Sequence, residues 1–423
     1  MWRTHFDALQ PDKQPSGSFR CRYTPGMMTP FKGLHPSVRA LIRRPLWRRW
    51  AAASGLSRLP VAMVPLAFVL AGQYATGSFA AGALLVSVHA LSEAVAAPWG
   101  GRLLDRREVR GGVQQALVAA AGALALLAAA VSLRAPLPLL LLLAATVGAI
   151  PAGVPGGYRA LLPHIVPRAA LDTAYALDAS LLEVEWMIAP VLVAVAVLLH
   201  TPIAAVLLMA SAAILAAAAT GALPRLAAQA TGVARRVLWR DRRAVPVYAL
   251  MAALSVGIGA MEAGLPALLV SLGAPAATAG LLLGVLAVAS ATGGLVYGGR
   301  VDRWPGTPAR RAPLLLALLG LLLLPLGIVP TAPLAALVLA LAGLLLAPLV
   351  GLCTSLLQQV LPPTQRAEGF SLLYAASGLG YGGGSLLIAL LLRPLGPQGT
   401  LLVTALVPLV VGSVMFMTRT ARP

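Results

Sequence analysis

Three acidic residues interrupt an otherwise apolar stretch at residues 174–199 and are the first candidates for chemistry: Asp178, Glu183 and Glu185. In a helix, at about 100° per residue, Asp178 and Glu185 share one face while Glu183 points away. A carboxylate in apolar surroundings can bind and release a proton or hold a cation. Glu185 stands nearest the middle of the stretch and is the best single candidate for such coupling. Asp178, nearer one end, either shares this role or contacts a basic loop there.

A second set combines an arginine, a histidine and a carboxylate on two neighbouring apolar stretches. Arg58 lies in residues 50–71, and His89 and Glu93 lie in residues 78–99. His89 precedes Glu93 by four residues, so the two share a helical face. Arg58 is expected at a similar depth, where it can pair with Glu93. Such a group either handles protons or fixes the two stretches as a structural pair.

The second half of the chain has one acidic residue within its apolar stretches, Glu262. It stands somewhat past the middle of residues 244–272, where it either faces substrate or a proton or has a structural role. The tyrosines at 74, 374 and 381 are consistent both with anchoring at the membrane interface and with lining a cavity.

These residues belong to a chain with the composition of a membrane protein. Its 423 residues are 59% hydrophobic and 11% charged, with a mean hydropathy of +0.86, too apolar for a soluble domain of this length. Apolar stretches of about 20 residues, each long enough to cross a hydrocarbon core of about 30 Å, recur along the chain. We predict an all-α polytopic protein of twelve transmembrane helices in two six-helix halves. Spans 1–12 are predicted at residues 50–71, 78–99, 113–133, 136–157, 174–199, 202–223, 244–272, 277–296, 313–329, 334–356, 370–392 and 401–417.

The distribution of arginines predicts the orientation. A net charge of +19 in a soluble protein would suggest a nucleic-acid partner, but here the basic residues gather in alternate connections. Those after spans 2, 4, 6, 8 and 10 are basic, whereas the opposite connections hold Arg134 and Arg393. By the positive-inside rule, both termini and the basic connections are cytoplasmic. We therefore predict a multi-pass protein of the cytoplasmic (inner) membrane with no nucleic-acid partner.

A basic connection at residues 224–243 separates six spans from six and marks the domain boundary. The predicted organisation is a basic cytoplasmic tail, a first half, this central connection, a second half and a short cytoplasmic tail, at residues 1–47, 48–223, 224–243, 244–418 and 419–423. The first 27 residues are rich in Pro, Ser and charge, and are expected to be disordered; they are either a functional tail or an over-extended gene start. Residues 39–49 are expected to form a basic helix on the membrane surface.

A short polar loop occurs twice, after span 2 and after span 8. The first copy contains Gly101, Leu103, Asp105, Arg106 and Arg110; the second contains Gly298, Asp302 and Arg303. The two aspartates are 302 − 105 = 197 residues apart, about half the chain. Glycine permits close approach of two helices at the membrane face, and the carboxylate is stabilised beside a neighbouring helix N-terminus. The arginines pair with the carboxylate and hold the loop on the cytoplasmic side, so that the loop sets the topology of the chain.

In these features the chain resembles the major facilitator superfamily over about residues 48–418. The first loop matches the family's Gly-x-Leu-x-Asp-Arg motif with its further basic residue, and the second copy keeps the glycine, aspartate and arginine. The resemblance implies a transporter that binds substrate between its halves near the bilayer midplane and exposes it alternately to each side. It also implies that Asp105 and Arg106, and more weakly Asp302 and Arg303, latch the halves on the cytoplasmic face.

Two further family features are present only in part. Exporters in the family often carry a Gly-Pro-x-x-Gly motif in span 5; residues 189–194 keep Pro190, which is expected to kink the helix, but have alanine in place of the glycines. Many proton-coupled exporters also carry an arginine within span 4. Here Arg134 precedes the predicted span and Arg159 follows it, which speaks against a proton relay through span 4.

The leading hypothesis is a secondary active transporter, a proton-coupled exporter of small hydrophobic drugs or metabolites, because the spans hold few polar groups. The alternatives are a facilitator or proton symporter for a polar metabolite and, from another class, a membrane sensor or an intramembrane enzyme. An enzyme is not expected, because the His89–Glu93 pair is too small a cluster for catalysis and the five histidines are scattered. Export driven directly by ATP is not expected either, because no Gly-Lys-Ser/Thr phosphate-binding loop occurs. Cys21 and Cys353 cannot form a metal cluster, so neither metal nor cofactor is expected. The expected partners are a small molecule, protons and lipid, with the two halves completing a working monomer.

Overall fold

The computed structural model describes residues 41–105, 108–167, 170–225, 241, 243–299, 305–362 and 366–420. In this part of the chain the regular secondary structure is helical, with no strand. Spans 1–3 are the helices Pro45–Thr76, Phe79–Asp105 and Val109–Ser132, and spans 5–8 are Leu171–Leu199, Pro202–Thr220, Val245–Ser271 and Ala279–Gly298. Span 9 is Pro308–Leu323, continued by a 3-10 turn at Leu324–Gly327. A second 3-10 turn, Ala276–Thr278, precedes span 8.

Spans 4 and 10, which occupy equivalent places in the two halves, are each built from two helices. Span 4 consists of Leu137–Ala149 and Val154–Ile165, and span 10 of Ala332–Gly343 and Leu346–Val360. Pro151 lies within the break in span 4, where its missing amide hydrogen interrupts the helical ladder, and Pro155 lies at the start of the second helix, a position that tolerates proline. The second helix of span 4 then continues to Ile165, eight residues past the predicted end at 157.

Spans 11 and 12 are joined in one helical segment, Arg366–Thr420. Its apolar part, Gly369–Thr418, has 50 residues, about twice what one crossing needs. Gly396 interrupts it with φ 68° and ψ 175°, a conformation that glycine adopts because it has no Cβ. Eleven segments of the described chain are long and apolar enough to cross a membrane, and the division of the last one confirms the twelve-span prediction.

The start of span 1 differs from the expectation of a separate basic surface helix at residues 39–49. The helix of span 1 begins at Pro45, so residues 45–49 are its first turns. Trp47 and Trp50 are buried there and stack with ring centroids 5.1 Å apart. Burial of two large aromatic side chains stabilises this end of span 1 against spans 3 and 4.

The two halves meet through equivalent pairs of spans. Span 2 packs against span 11, span 5 packs against span 8, and span 1 contacts span 7. Span 8 is the equivalent of span 2 in the other half, and span 5 is the equivalent of span 11. The two contacts are therefore related in the way expected for a doubled architecture. We call the end of the bundle where span 6 ends at Thr220 and span 7 begins at Val245 the near end, and the opposite end the far end.

Candidate functional site

A buried ion pair joins spans 1 and 5. Nη1 of Arg58 lies 2.6 Å from Oδ1 of Asp178, and the two side chains are 9% and 3% exposed. The predicted pairing of Arg58 with Glu93 is therefore wrong. Arg58 and Glu93 do lie on neighbouring helices, but the face of span 1 that carries Arg58 is turned towards span 5.

Arg159 supplies a second positive charge to the same carboxylate. Its Nε lies 3.7 Å from Oδ2 of Asp178, and its side chain is 61% exposed. Arg159 was predicted to follow span 4, but it lies within the second helix of that span, Val154–Ile165. The misplacement arose because the prolines and glycines at 151–157 resemble the end of a span, although they only break it.

The neighbouring residue, Tyr158, fixes the position of Arg159. Nε1 of Trp50 donates a hydrogen bond of 2.9 Å to the carbonyl of Tyr158, and the Tyr158 hydroxyl bonds to Oγ1 of Thr220 at 2.5 Å. Tyr158 is fully buried. Spans 1 and 6 therefore hold the backbone from which the Arg159 side chain extends.

Glu185 lies on the same face of span 5 as Asp178, as predicted, and packs against span 1 at Gly55. A Cβ added at Gly55 would lie 3.0 Å from Oε1 of Glu185. Oε2 of Glu185 is buried and has no hydrogen-bond partner in the described part of the chain. Arg58 and Asp178 both interact electrostatically with this carboxylate, whereas Glu183 is exposed on another face.

A hydrogen bond links the two halves of the molecule. The hydroxyl of Tyr374 on span 11 donates to Oε1 of Glu93 on span 2 at 3.1 Å. Tyr374 is nevertheless 54% exposed, so it borders open space. Asp178 joins Arg58 of span 1 and Arg159 of span 4 to span 5, and both arginines lie within electrostatic range of Tyr374. We call these charged groups of spans 1, 2, 4 and 5 the charged cluster: Arg58, Glu93, Arg159, Asp178 and Glu185.

His89 is separated from this cluster. It is buried, and its ring contacts Phe68 edge to face at 5.5 Å and 85°. It also lines a small internal cavity of the first half together with Ser57, Val64 and Met209. Among the described contacts His89 has none with Glu93. Although the two residues share a face of span 2, His89 lies in the interior of the first half and Glu93 contacts the other half.

Glu262 forms a second, separate site in the other half. It is buried on span 7, and the hydroxyl of Tyr381 donates to its Oε2 at 2.7 Å. Tyr374 and Tyr381 are seven residues apart on span 11, so they lie on one helical face, and each binds a glutamate. From the sequence, both tyrosines were consistent with interfacial anchoring and with lining a cavity. Their seven-residue spacing was the signal that could have indicated a shared role.

Comparison with known proteins shows the family. No curated protein matches the chain, but residues 50–358 and, overlapping them, 260–423 match the family described as Major Facilitator Superfamily. The chain belongs to the Major Facilitator Superfamily. Proteins of this family move small molecules across a lipid bilayer by alternating access, and this chain is therefore a Major Facilitator Superfamily transporter.

Solved structures of other Major Facilitator Superfamily members share the fold. A bacterial homologue of the human lysosomal transporter Spinster, in an inward-facing and occupied conformation, superposes with a TM-score of 0.74 at 13% identity, covering 92% of this chain and 98% of that one. A mutant of the nucleoside transporter NupG superposes with a TM-score of 0.71 at 12% identity, covering 87% of this chain and 99% of that one. The human organic anion transporter MFSD10 superposes with a TM-score of 0.59 at 19% sequence identity, covering 90% of this chain and 100% of that one. At these identities the likeness concerns the fold alone.

Only part of the Major Facilitator Superfamily loop motif lies within the residues that the structure describes. Arg106, Asp302, Arg303 and the side chain of Asp105 lie outside the described residues. Arg110 donates to the carbonyls of Gly221 and Leu223 at 3.1 Å each, so it binds the carbonyl end of span 6 within its own half. Leu103 is exposed.

The glycines of the loop motif differ from the expectation of close helix contact. No described atom lies within 4 Å of a Cβ added at Gly101 or Gly298. The close approach occurs one residue earlier, where Gly100 lies against Gly153 in the break of span 4.

Pro190, from the partial exporter motif of span 5, lies against Gly280 of span 8 at the far end. The motif proline of this family member is therefore placed where the two halves touch.

The described residues contain no group of three or more His, Cys, Asp or Glu side chains arranged to hold a metal ion. The carboxylates of the cluster are instead accompanied by arginines, which compete with a cation for the same oxygens. The chemistry that this arrangement can perform is the exchange of protons and the binding of charged or polar groups.

Proposed function

We propose that this transporter exports small molecules across the cytoplasmic membrane in exchange for protons, and that Glu185 carries the proton. The setting of Glu185 is the main support. Its Oε2 is buried without a hydrogen bond among the described residues, midway along span 5 and beside an ion pair. An ionised carboxylate in such a place is costly, so a proton on Glu185 stabilises the arrangement seen here.

The Arg58–Asp178 pair provides a route from protonation to motion. Arg58 interacts with both Asp178 and Glu185, and the two carboxylates come from different turns of span 5. When Glu185 loses its proton, it competes with Asp178 for Arg58. A change of partner would alter how span 1 packs on span 5, and span 5 in turn contacts span 8 of the other half.

The remaining predicted residues have secondary roles in this proposal. Glu93 and Tyr374 join the halves beside the cluster, and their bond must break when the halves separate there. Glu262 and His89 are candidates for additional proton binding. The loop residues Asp105, Arg106, Asp302 and Arg303 latch the near end when the halves close there.

We also propose how the transporter is placed in the membrane. Both termini and the central connection are on the cytoplasmic side, as the arginine distribution favours. The near end therefore faces the cytoplasm. One chain provides both halves and acts as a monomer.

One observation favours the alternative, a proton symporter or facilitator for a polar metabolite. The export hypothesis assumed a largely apolar cavity, but Arg58, Glu93, Arg159, Asp178 and Glu185 meet in one place. Such a cluster suits a polar substrate. Solved structures of a peptide transporter bound to sulfate and of a nucleoside transporter share this fold. The direction in which protons move with substrate separates the two proposals.

The test is proton movement in liposomes that contain the purified full chain and an internal pH-sensitive dye. An imposed pH gradient and a panel of lipophilic cations, anions and neutral antibiotics provide the driving force and the substrates. We expect at least one compound to move protons in the direction opposite to its own, and Glu185→Gln to reduce this proton movement at least tenfold, because glutamine cannot carry the proton.

Glu183→Gln is the matched control, since it makes the same change two residues away on an exposed face. It is expected to retain proton movement within twofold. Proton movement in the same direction as the compound would favour symport. Transport of a labelled compound without proton movement in the unmodified protein would exclude coupling and favour a facilitator.

A further inference from the structure

We infer that Arg159 binds a carboxylate or phosphate group of the transported molecule, with Tyr374 contacting that molecule from the other half. The inference rests on the proposed transport function but not on coupling to protons. It assigns a substrate class, small organic anions, to the charged cluster between spans 4 and 11.

The charge of Arg159 is only weakly balanced. Asp178 already has Arg58 at 2.6 Å, whereas the Nε of Arg159 is 3.7 Å from its other oxygen. A guanidinium group has five N–H donors, and the described residues contain no hydrogen bond from Arg159 to another protein group. Its terminal nitrogens can therefore bind a further acceptor.

The guanidinium group of Arg159 borders open space. Arg159 stands on a transmembrane span yet is 61% exposed, which is unfavourable towards lipid. Its side chain reaches Asp178 on span 5 and lies within electrostatic range of Tyr374 on span 11 of the other half. Tyr374 is also more than half exposed. The two side chains thus border the same space between the halves.

The backbone that carries Arg159 is held in place before any ligand binds. The carbonyl and the hydroxyl of Tyr158 are bonded to spans 1 and 6, so the backbone beside Arg159 is fixed. A site that is ordered in advance loses less conformational entropy on binding. Since arginine presents a planar pair of donors that matches a carboxylate or phosphate group, an anion is the ligand that fits.

The experiment measures binding of three probes of similar shape to the full chain in lipid nanodiscs: benzoate, benzamide and benzamidine. They are anionic, neutral and cationic. We expect benzoate to bind at least tenfold more tightly than benzamide, and benzamidine to bind no better than benzamide. Equal binding of benzoate and benzamide, or tighter binding of benzamidine, would overturn the inference.

Variants locate the binding. Arg159→Gln is expected to weaken benzoate binding at least tenfold, Arg159→Lys to weaken it less, and Tyr374→Phe to weaken it two- to fivefold. Arg225→Gln is the matched control, because Arg225 is a highly exposed arginine paired with Glu108 at the same end of the bundle. It should leave benzoate binding within twofold.

Two outcomes contradict the assignment to Arg159: benzoate binding that survives Arg159→Gln, or an equal loss in Arg225→Gln, which would indicate general attraction to a basic surface. Arg159→Lys guards against misfolding as the cause of lost binding, since it keeps the charge. The proposed export function fails separately, through the absence of proton movement in liposomes, which these binding measurements do not involve.

Discussion

At the scale of single residues, the charge on Asp178 is balanced by arginines from two other spans. Arg58 comes from span 1 and Arg159 from span 4, and the carboxylate itself is almost completely buried. A buried charge that loses its partner destabilises a protein by about 3–5 kcal/mol. The pair is therefore expected to act as one unit rather than as two independent residues.

This expectation can be tested by substituting each partner alone and both together. Asp178→Asn is expected to lower the unfolding free energy in detergent by about 3 kcal/mol, because it leaves Arg58 buried without its ion pair. Adding Arg58→Gln should restore part of that loss, since no buried unpaired charge then remains. Tryptophan fluorescence during denaturation provides the measurement, with the exposed Glu183→Gln as control. Losses that simply add would show that the two residues do not depend on each other.

The residue-scale predictions from sequence were correct within a helix and wrong between helices. Asp178 and Glu185 were expected on one face of span 5, and they are, because 100° per residue fixes their relation. Arg58 was expected to meet Glu93 because both lie at similar depth. Depth follows from counting residues along a span, but the rotation of each span about its axis depends on packing with distant parts of the chain.

At the scale of elements, the contact of spans 5 and 8 holds the far end of the halves together. Pro190 and Ala194 lie directly against Gly280, and a Cβ at Gly280 would collide with the Pro190 carbonyl and the Ala194 methyl group. Small residues allow such close approach of helices in lipid. The contact must open and close during alternating access.

Gly280→Ala is therefore expected to reduce transport at least tenfold by preventing close contact at the far end. Gly284→Ala adds the same methyl group one turn away, where the nearest atom, Cγ2 of Val191, is at an ordinary 3.4 Å. That variant should keep transport within twofold. Uptake or release of a labelled compound by liposomes compares the two. Similar rates for both variants would mean that the far-end contact does not limit the cycle.

The elements themselves were largely predictable, because twelve apolar stretches of sufficient length are visible in the sequence. Span 4 shows where this criterion fails. Residues 151–157 contain two prolines and three glycines, which normally end a helix, yet a second helix follows and brings Arg159 into the span. The break is stabilised by contact of Gly153 with Gly100 on span 2, a long-range contact that local patterns do not contain.

At the scale of the whole molecule, the structure joins the halves closely at the far end and leaves Arg159 and Tyr374 exposed nearer the other end. In this arrangement Oε2 of Glu185 is buried without a hydrogen bond among the described residues. A neutral Glu185 fits such a place and an ionised one does not. Protonation should therefore favour this state, and loss of the proton should favour the state with the far end open.

The most direct test of the proposal is to measure distances between spin labels on spans 5 and 8 as a function of pH. Labels at Leu198 and Leu281 report the far end, and labels at Tyr175 and Val296 report the near end; these side chains are exposed, and both cysteines are first replaced by serine. As pH rises, the far-end distance should lengthen while the near-end distance shortens. Glu185→Gln should keep the low-pH distances throughout. If this variant followed the same pH dependence as the unmodified protein, or if both distances changed in the same direction, coupling of protons to alternating access through Glu185 would be contradicted.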